Sequence, residues 1–360
     1  MFTRKDAIKK SRVAMIQRTP TRIEARLADN DSRSWQQLLS ESITSPEQLL
    51  ERLDLDPEQW LAGARQGHRL FPVRVPEPYL SRITRGNPHD PLLRQVLPLT
   101  AENEPVEGYV SDPLQESGAL KATGLIRKYR SRALLMVTGQ CAINCRYCFR
   151  RHFPYEEHRL SAADRAHVID TLARDSEINE VIFSGGDPLA VNDRLLAAWA
   201  ESISTIPHIR RLRIHTRLPV VIPQRVCDSL LAWLSRTRLQ AVMVLHVNHP
   251  AELDLQTRQV LGQLRSAGVT LLNQSVILKG VNDNADVLCE LSERLFDAGV
   301  LPYYLHAFDP VAGAHHFDVT DDRARELVRN LLAMLPGFLV PRLVREVPGK
   351  TGKTPIDLFA

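Results

Sequence analysis

From about residue 130 onward, short β-rich apolar runs alternate with longer amphipathic stretches, and this period leaves few folds open. The strand candidates are RALLMVT (132–138), EVIFSGG (180–186), LRIHTR (212–217), AVMVLHVN (241–248), TLLNQSVIL (270–278) and PYYLHAF (302–308). Helical patterns lie between them at 161–175, 192–205, 223–236, 254–267 and 285–298, and another follows at 320–335. Ser161 reads as an N-cap, and Gly268 and Gly299 sit where helices should stop. Six consecutive βα units imply a parallel sheet with right-handed crossovers. Six is too few for a closed (β/α)8 barrel, so the expected α/β fold is a partial, open (β/α)6 barrel. Polar motifs fall at or just after the strand C-termini, the face on which barrel enzymes build their sites.

The flanks differ from this core. Residues 1–125 are helical and Pro-punctuated, as in WQQLLSES and PEQLLERL, and read as an N-terminal extension packed on a barrel spanning 126–336. The tail, 337–360, is extended and rich in Gly and Pro, and is expected to lie across the barrel mouth. The chain carries 46 basic and 42 acidic residues, a net charge of +4 that is too mild to imply nucleic acid. The basic stretch RKDAIKKSR (4–12) reads as a solvated helix or arm. No apolar h-region follows it, and no run approaches the roughly 20 apolar residues of a membrane helix. A soluble, cytoplasmic protein is expected.

Three of the five cysteines, Cys141, Cys145 and Cys148, stand at C-x3-C-x2-C spacing in the loop after the first strand. Three thiolates can hold three irons of a [4Fe–4S] cube and leave the fourth open to bind a small molecule. A structural zinc site completed by His152 is the alternative, although such sites usually draw on two separated pairs of ligands. An odd cysteine count without a secretory signal argues against disulfides. Cys227 and Cys289 read as small buried hydrophobes.

The cysteine loop, followed one βα unit later by SGGDPL (184–189), resembles the radical S-adenosylmethionine (SAM) enzymes. In that family SAM chelates the open iron and is cleaved to a 5′-deoxyadenosyl radical. The glycine-rich turn, here Gly185, Gly186 and Asp187, meets the SAM amino group. The tail segment VPGKTGKTP (347–355) resembles the part of lysine 2,3-aminomutase whose second lysine binds pyridoxal 5′-phosphate (PLP) covalently, which implies Lys353. A phosphate-binding P-loop is the competing reading. It would need glycine where Val347 stands and a following helix, whereas Pro355 comes next. Lys350 reads as a surface lysine.

The resemblance runs from about residue 120 to the C-terminus and implies further roles. Lys128, Tyr129 and Arg132 match the residues that bind PLP phosphate, and Gln274 matches a position near SAM. Arg150 matches the clamp on the substrate α-carboxylate. Asp309 matches one of two acids that hold the substrate ε-ammonium, and Glu346 falls where the family has its second aspartate, one methylene shorter. The family implies L-lysine as substrate, a [4Fe–4S] cluster, SAM and PLP as cofactors, and a flavodoxin- or ferredoxin-type reductant. The amino group would migrate from Cα to Cβ. The sequence ends within ten residues of Lys353, which resembles the short bacterial form that supplies (R)-β-lysine for modification of elongation factor P by its lysyl-transferring ligase. Arginine is the alternative substrate, while two acids at the side-chain end disfavour glutamate.

Overall fold

The computed structural model describes residues 33–155 and 160–359, so the basic stretch at 4–12 lies outside the described residues. The chain first forms short helices: α1 (Trp35–Ser40), α2 (Pro46–Arg52), α3 (Pro57–Leu70), α4 (Glu77–Leu80) and α5 (Pro91–Arg94). Side-chain caps start several of them. Ser34 accepts from the Gln37 amide, Ser45 from Gln48, and Asp90 from Leu92 and Leu93. Strands β1 (Leu120–Ala122) and β2 (Leu125–Ile126) then lead by antiparallel pairing into β3 (Arg132–Thr138).

The predicted alternation follows: α6 (Ala162–Arg174), β4 (Glu180–Gly185), α7 (Asp193–Ser204), β5 (Arg211–Thr216), α8 (Leu218–Val221), α9 (Asp228–Arg236) and β6 (Gln240–Leu245). It continues through α10 (Leu255–Ser266), β7 (Thr270–Val276), α11 (Ala285–Asp297), β8 (Leu301–His306) and α12 (Asp321–Met334). All six expected strands are present and pair in parallel in sequential order. The tail contributes more than a cover. Its strand β9 (Arg342–Arg345) pairs in parallel with β8, and β10 (Thr354–Pro355) returns antiparallel to β9. The parallel sheet therefore has a seventh strand, and it remains open.

The pleat sorts side chains between helices and barrel interior. In β5, Leu212, Ile214 and Thr216 are buried, whereas Arg213 and His215 alternate with them and line the cavity. In β7, Leu271, Asn273 and Ser275 are buried, and Gln274 and Val276 face the cavity. Helix α7 buries Leu196, Trp199, Ala200 and Ile203, the stripe of an amphipathic helix on a sheet. Ser161 caps α6 in a reciprocal pair with Asp164. Gly268 and Gly299, after α10 and α11, adopt φ of +85° and +76°, where a side chain would be strained.

One predicted helix is interrupted. The 223–236 pattern opens as a 3-10 turn, Pro223–Arg225, before α9 begins. Arg225 is fully buried, donates to Leu189 O at 2.7 Å and Asp193 Oδ1 at 2.8 Å, and lies over the Trp35 ring. These contacts hold its backbone apart from the helix axis. Cys227 and Cys289 are half-buried rather than enclosed, and Cys227 lies within reach of Asp193 and Ser229.

Candidate active site

The cysteine loop follows β3 and is gripped from outside by the N-terminal helices. Asn144 donates its amide to Arg74 O at 3.2 Å and its side chain to Pro72 O at 3.0 Å. The Arg146 amide donates to Gln95 O at 2.9 Å, and its guanidinium reaches Phe71 O at 2.6 Å and Gly67 O at 3.1 Å. Glu102 pairs with both Arg146 and Arg151, and all three side chains are completely buried. This extension showed no chemistry in the sequence; its task at this loop is to hold the backbone in shape.

The turn after β4 packs directly on that loop. Gly186 N donates to Thr138 O and Asp187 N to Gln140 O, each at 2.7 Å. A Cβ on Gly185 would stand 2.3 Å from Thr138 O, and one on Gly186 would stand 2.4 Å from Gln140 O, so only glycine fits. The Asp187 carboxylate accepts from Thr216 Oγ1 at 2.6 Å, Leu189 N at 3.0 Å, Arg217 N at 2.8 Å and Leu218 N at 3.0 Å. Asp187 thus ties the turn after β4 to the turn after β5, and its oxygens are already occupied.

The candidates for cluster, SAM, PLP and substrate line one cavity inside the sheet: Cys141, Cys145, Cys148, Arg150, Gly185, Gly186, Asp187, Gln274, Asp309, Glu346, Lys353, Lys128, Tyr129 and Arg132. His152, the zinc alternative, is not among its lining residues and has Nε2 3.0 Å from Ala312 O. Burial pushes the Cys148 thiol up to about 11 and the Cys141 thiol well above its ordinary value, a penalty that metal ligation would relieve. Among the described residues no three His, Cys, Asp or Glu side chains gather closely enough for one ion. A cube needs no such convergence, because each thiolate binds a different iron. The donor set therefore fits a [4Fe–4S] cluster.

A chain of alternating charges crosses the cavity. Arg150 donates from Nε and Nη2 to the two oxygens of Glu116, at 2.6 and 2.8 Å. Lys128 Nζ lies 3.0 Å from Glu116 Oε1 and 3.1 Å from Glu346 Oε1. Glu346 also accepts from Tyr129 OH at 3.0 Å and pairs with Lys353 Nζ. Burial opposes ionisation of both acids, but the neighbouring cations override it and hold Glu116 and Glu346 at about 2. Asp309 differs: burial pushes it up to about 6, against the pull of Lys353. The Arg132 guanidinium stacks 4.1 Å from the Tyr129 ring centre, and Gln274 Nε2 lies 2.9 Å from His246 Nε2.

The sequence reading missed four kinds of residue here. Glu116 sits in the extension, outside any motif. Arg217, from HTRLP after β5, donates to Cys145 Sγ at 2.8 Å. His215, His246 and His306 line the cavity floor, and burial holds each below the usual imidazole range. Two of them, His215 and His306, keep a buried Nε2 without a hydrogen-bond partner. Tyr155 donates to Gly185 O at 2.8 Å. Only the position of Arg217, His215, His246 and His306 at or just past a strand end could have marked them.

Residues 135–243 match the radical SAM superfamily. The chain is 49% identical to the L-lysine 2,3-aminomutase of Escherichia coli (strain K12), over 90% of its own length and 94% of that protein. The Haemophilus influenzae L-lysine 2,3-aminomutase is 47% identical over 90% and 96% of the two chains. That of Clostridium subterminale is 32% identical over 92% and 79%. With its radical SAM core, its cysteine loop and its tail lysine in a single cavity, this chain belongs to the L-lysine 2,3-aminomutase family.

Proposed function

We propose that the protein converts L-lysine to (R)-β-lysine, which is then attached to elongation factor P by its lysyl-transferring ligase. Family membership already makes it an isomerase that moves an amino group, with a [4Fe–4S] cluster, SAM and PLP as cofactors. The observation that supports lysine as the substrate is the charge chain from Arg150 to Lys353 in the cavity of the three cysteines, which suits a ligand charged at both ends. When bound, cluster and SAM supply a 5′-deoxyadenosyl radical, and PLP supplies the conjugated system that lets nitrogen cross from Cα to Cβ.

The chain's own residues do the aligning. Cys141, Cys145 and Cys148 hold three irons. Lys353 binds PLP covalently, and Lys128, Tyr129 and Arg132 hold its phosphate, with Arg132 offering a planar fork. Gly185, Gly186 and Asp187 shape the SAM turn, and Gln274 lies beside it. Arg150 clamps the substrate carboxylate. Glu346 pairs with an ammonium at Lys353; the ε-ammonium of lysine is the same kind of cation and suits Glu346 and Asp309. Holding both ends of lysine leaves Cβ as the carbon presented to the radical. A flavodoxin- or ferredoxin-type donor would supply the electron that the cluster needs. Among the described residues no helix is long and apolar enough to cross a membrane.

Anaerobic reconstitution with iron, sulfide, PLP, SAM and reductant, followed by chiral analysis of products from L-lysine, tests the reading. (R)-β-Lysine is expected, whereas turnover of arginine in preference to lysine would overturn it. Cys148→Ala should lose turnover while retaining PLP.

A further inference from the structure

Glu116 has no part in the reading above, yet both its carboxylate oxygens are paired with cations inside the cavity. Its side chain is 4% exposed, and its two oxygens meet Arg150 Nε at 2.6 Å, Arg150 Nη2 at 2.8 Å and Lys128 Nζ at 3.0 Å. The other end of the guanidinium is also held, because Arg150 Nη1 donates to Ser184 Oγ at 3.0 Å and Gly185 O at 3.3 Å. These contacts leave one of the five guanidinium N–H groups, on Nη2, for a ligand. Glu116 comes from the segment before β1, whereas Arg150 rides on the cysteine loop. The arginine's direction is therefore set by a tertiary contact rather than by its own backbone. A long side chain left without such a partner would sample many rotamers and bind a carboxylate at greater entropic cost.

Resting on the proposed function, we infer that Glu116 is the positioning residue for recognition of the substrate α-carboxylate. It fixes the guanidinium of Arg150 side-on and anchors Lys128 beside it, so that the clamp meets the carboxylate already oriented. The same carboxylate links the substrate clamp to the phosphate-binding lysine. The opposite arrangement is physically distinct: an acid that merely occupied the substrate's place would compete with it, and its removal would tighten binding.

The test compares L-lysine with L-lysinamide, which keeps both amines but lacks the carboxylate, as ligands of the PLP-loaded protein. The readout is the concentration of each that half-changes the PLP absorbance. Glu116→Gln is expected to reduce the preference for lysine over lysinamide by roughly tenfold, mainly through weaker lysine binding. Glu116→Asp keeps the charge but is too short to span Arg150 and Lys128. It should lose the preference similarly, and it serves if the Gln variant does not fold. Equal weakening of both ligands, a wild-type preference in either folded variant, or tighter lysine binding overturns the inference alone. Wild-type protein that shows no lysine-dependent change overturns the underlying functional reading and this inference with it.

Discussion

Arg217 donates from Nη1 to Cys145 Sγ and from Nη2 to Glu252 Oε2, each at 2.8 Å, so one buried guanidinium joins the sulfur of a proposed cluster ligand to a buried acid. Gln95 Oε1 accepts from the same Nη2 at 2.7 Å. A charged donor on a ligating sulfur favours the more negative, reduced cluster and so raises its potential. Arg217→Gln should make the reconstituted cluster harder to reduce, as read by an EPR-monitored redox titration. It should also cost on the order of 3–5 kcal/mol of stability, because Glu252 is left buried without its cation. An unchanged midpoint would remove Arg217 from cluster tuning.

Asp309 gives the site a pH dependence of known direction. Its carboxyl is pushed up from an ordinary 3.8 to about 6, so the folded protein binds more protons than the unfolded chain between those values. Stability contributed by the protonated acid is therefore present below the unfolded value and is lost as pH rises through about 6. A cationic ligand end needs the ionised form, so kcat/KM for L-lysine should climb as pH rises through about 6. Asp309→Asn should flatten that climb, and at pH 7 it should raise the stability of the ligand-free protein by about 1–2 kcal/mol, a figure reduced for partial exposure. A profile that keeps its acid limb in the Asn variant would assign the limb to another group.

The two tail lysines separate cleanly by location. Lys350 is exposed on a turn, whereas Lys353 lines the cavity and pairs with Glu346. Lys353→Ala should abolish covalent PLP, seen as loss of its visible absorbance and of borohydride-trapped cofactor, while Lys350→Ala should leave both intact. The reverse result would shift the reading of the tail by three residues.

Gly186→Ala tests the seam between turn and cysteine loop. The new methyl would lie 2.4 Å from Gln140 O, a backbone atom that cannot swing away. A stability loss of about 1–3 kcal/mol is expected from the forced shift, with lower iron content after reconstitution. A variant with wild-type Tm and full iron would mean that the loop tolerates displacement.

The β and α periods made nearly the whole core legible, because apolar alternation in β5 and β7 and the Leu196–Trp199–Ala200–Ile203 stripe are local signals. Strand β9 was not legible: RLVR is four residues beside Pro341 in a Gly/Pro-rich tail, and only pairing with β8 and β10 makes it a strand. The break before α9 was hidden for a related reason, since Arg225 leaves the helix for partners at Leu189 and Asp193, which are remote in sequence. In the site, residues that belong to spaced motifs stood out, as with the cysteines, the GGD turn and the tail lysine. Glu116 and Arg217 are single charges in unremarkable surroundings, and their importance arises only where the fold joins distant segments.

The grip of the N-terminal helices on the cysteine loop bears on how the iron centre can be assembled and repaired. Asn144, Arg146 and Arg151 are tied to Arg74, Pro72, Gln95, Phe71, Gly67 and Glu102 by contacts that contain no metal. These protein–protein contacts restrict the loop without drawing on its sulfur atoms, so less conformational freedom is left for iron binding to remove. A centre destroyed by oxygen would leave behind a shaped template rather than a collapsed loop, and rebuilding could begin on the same molecule without refolding it.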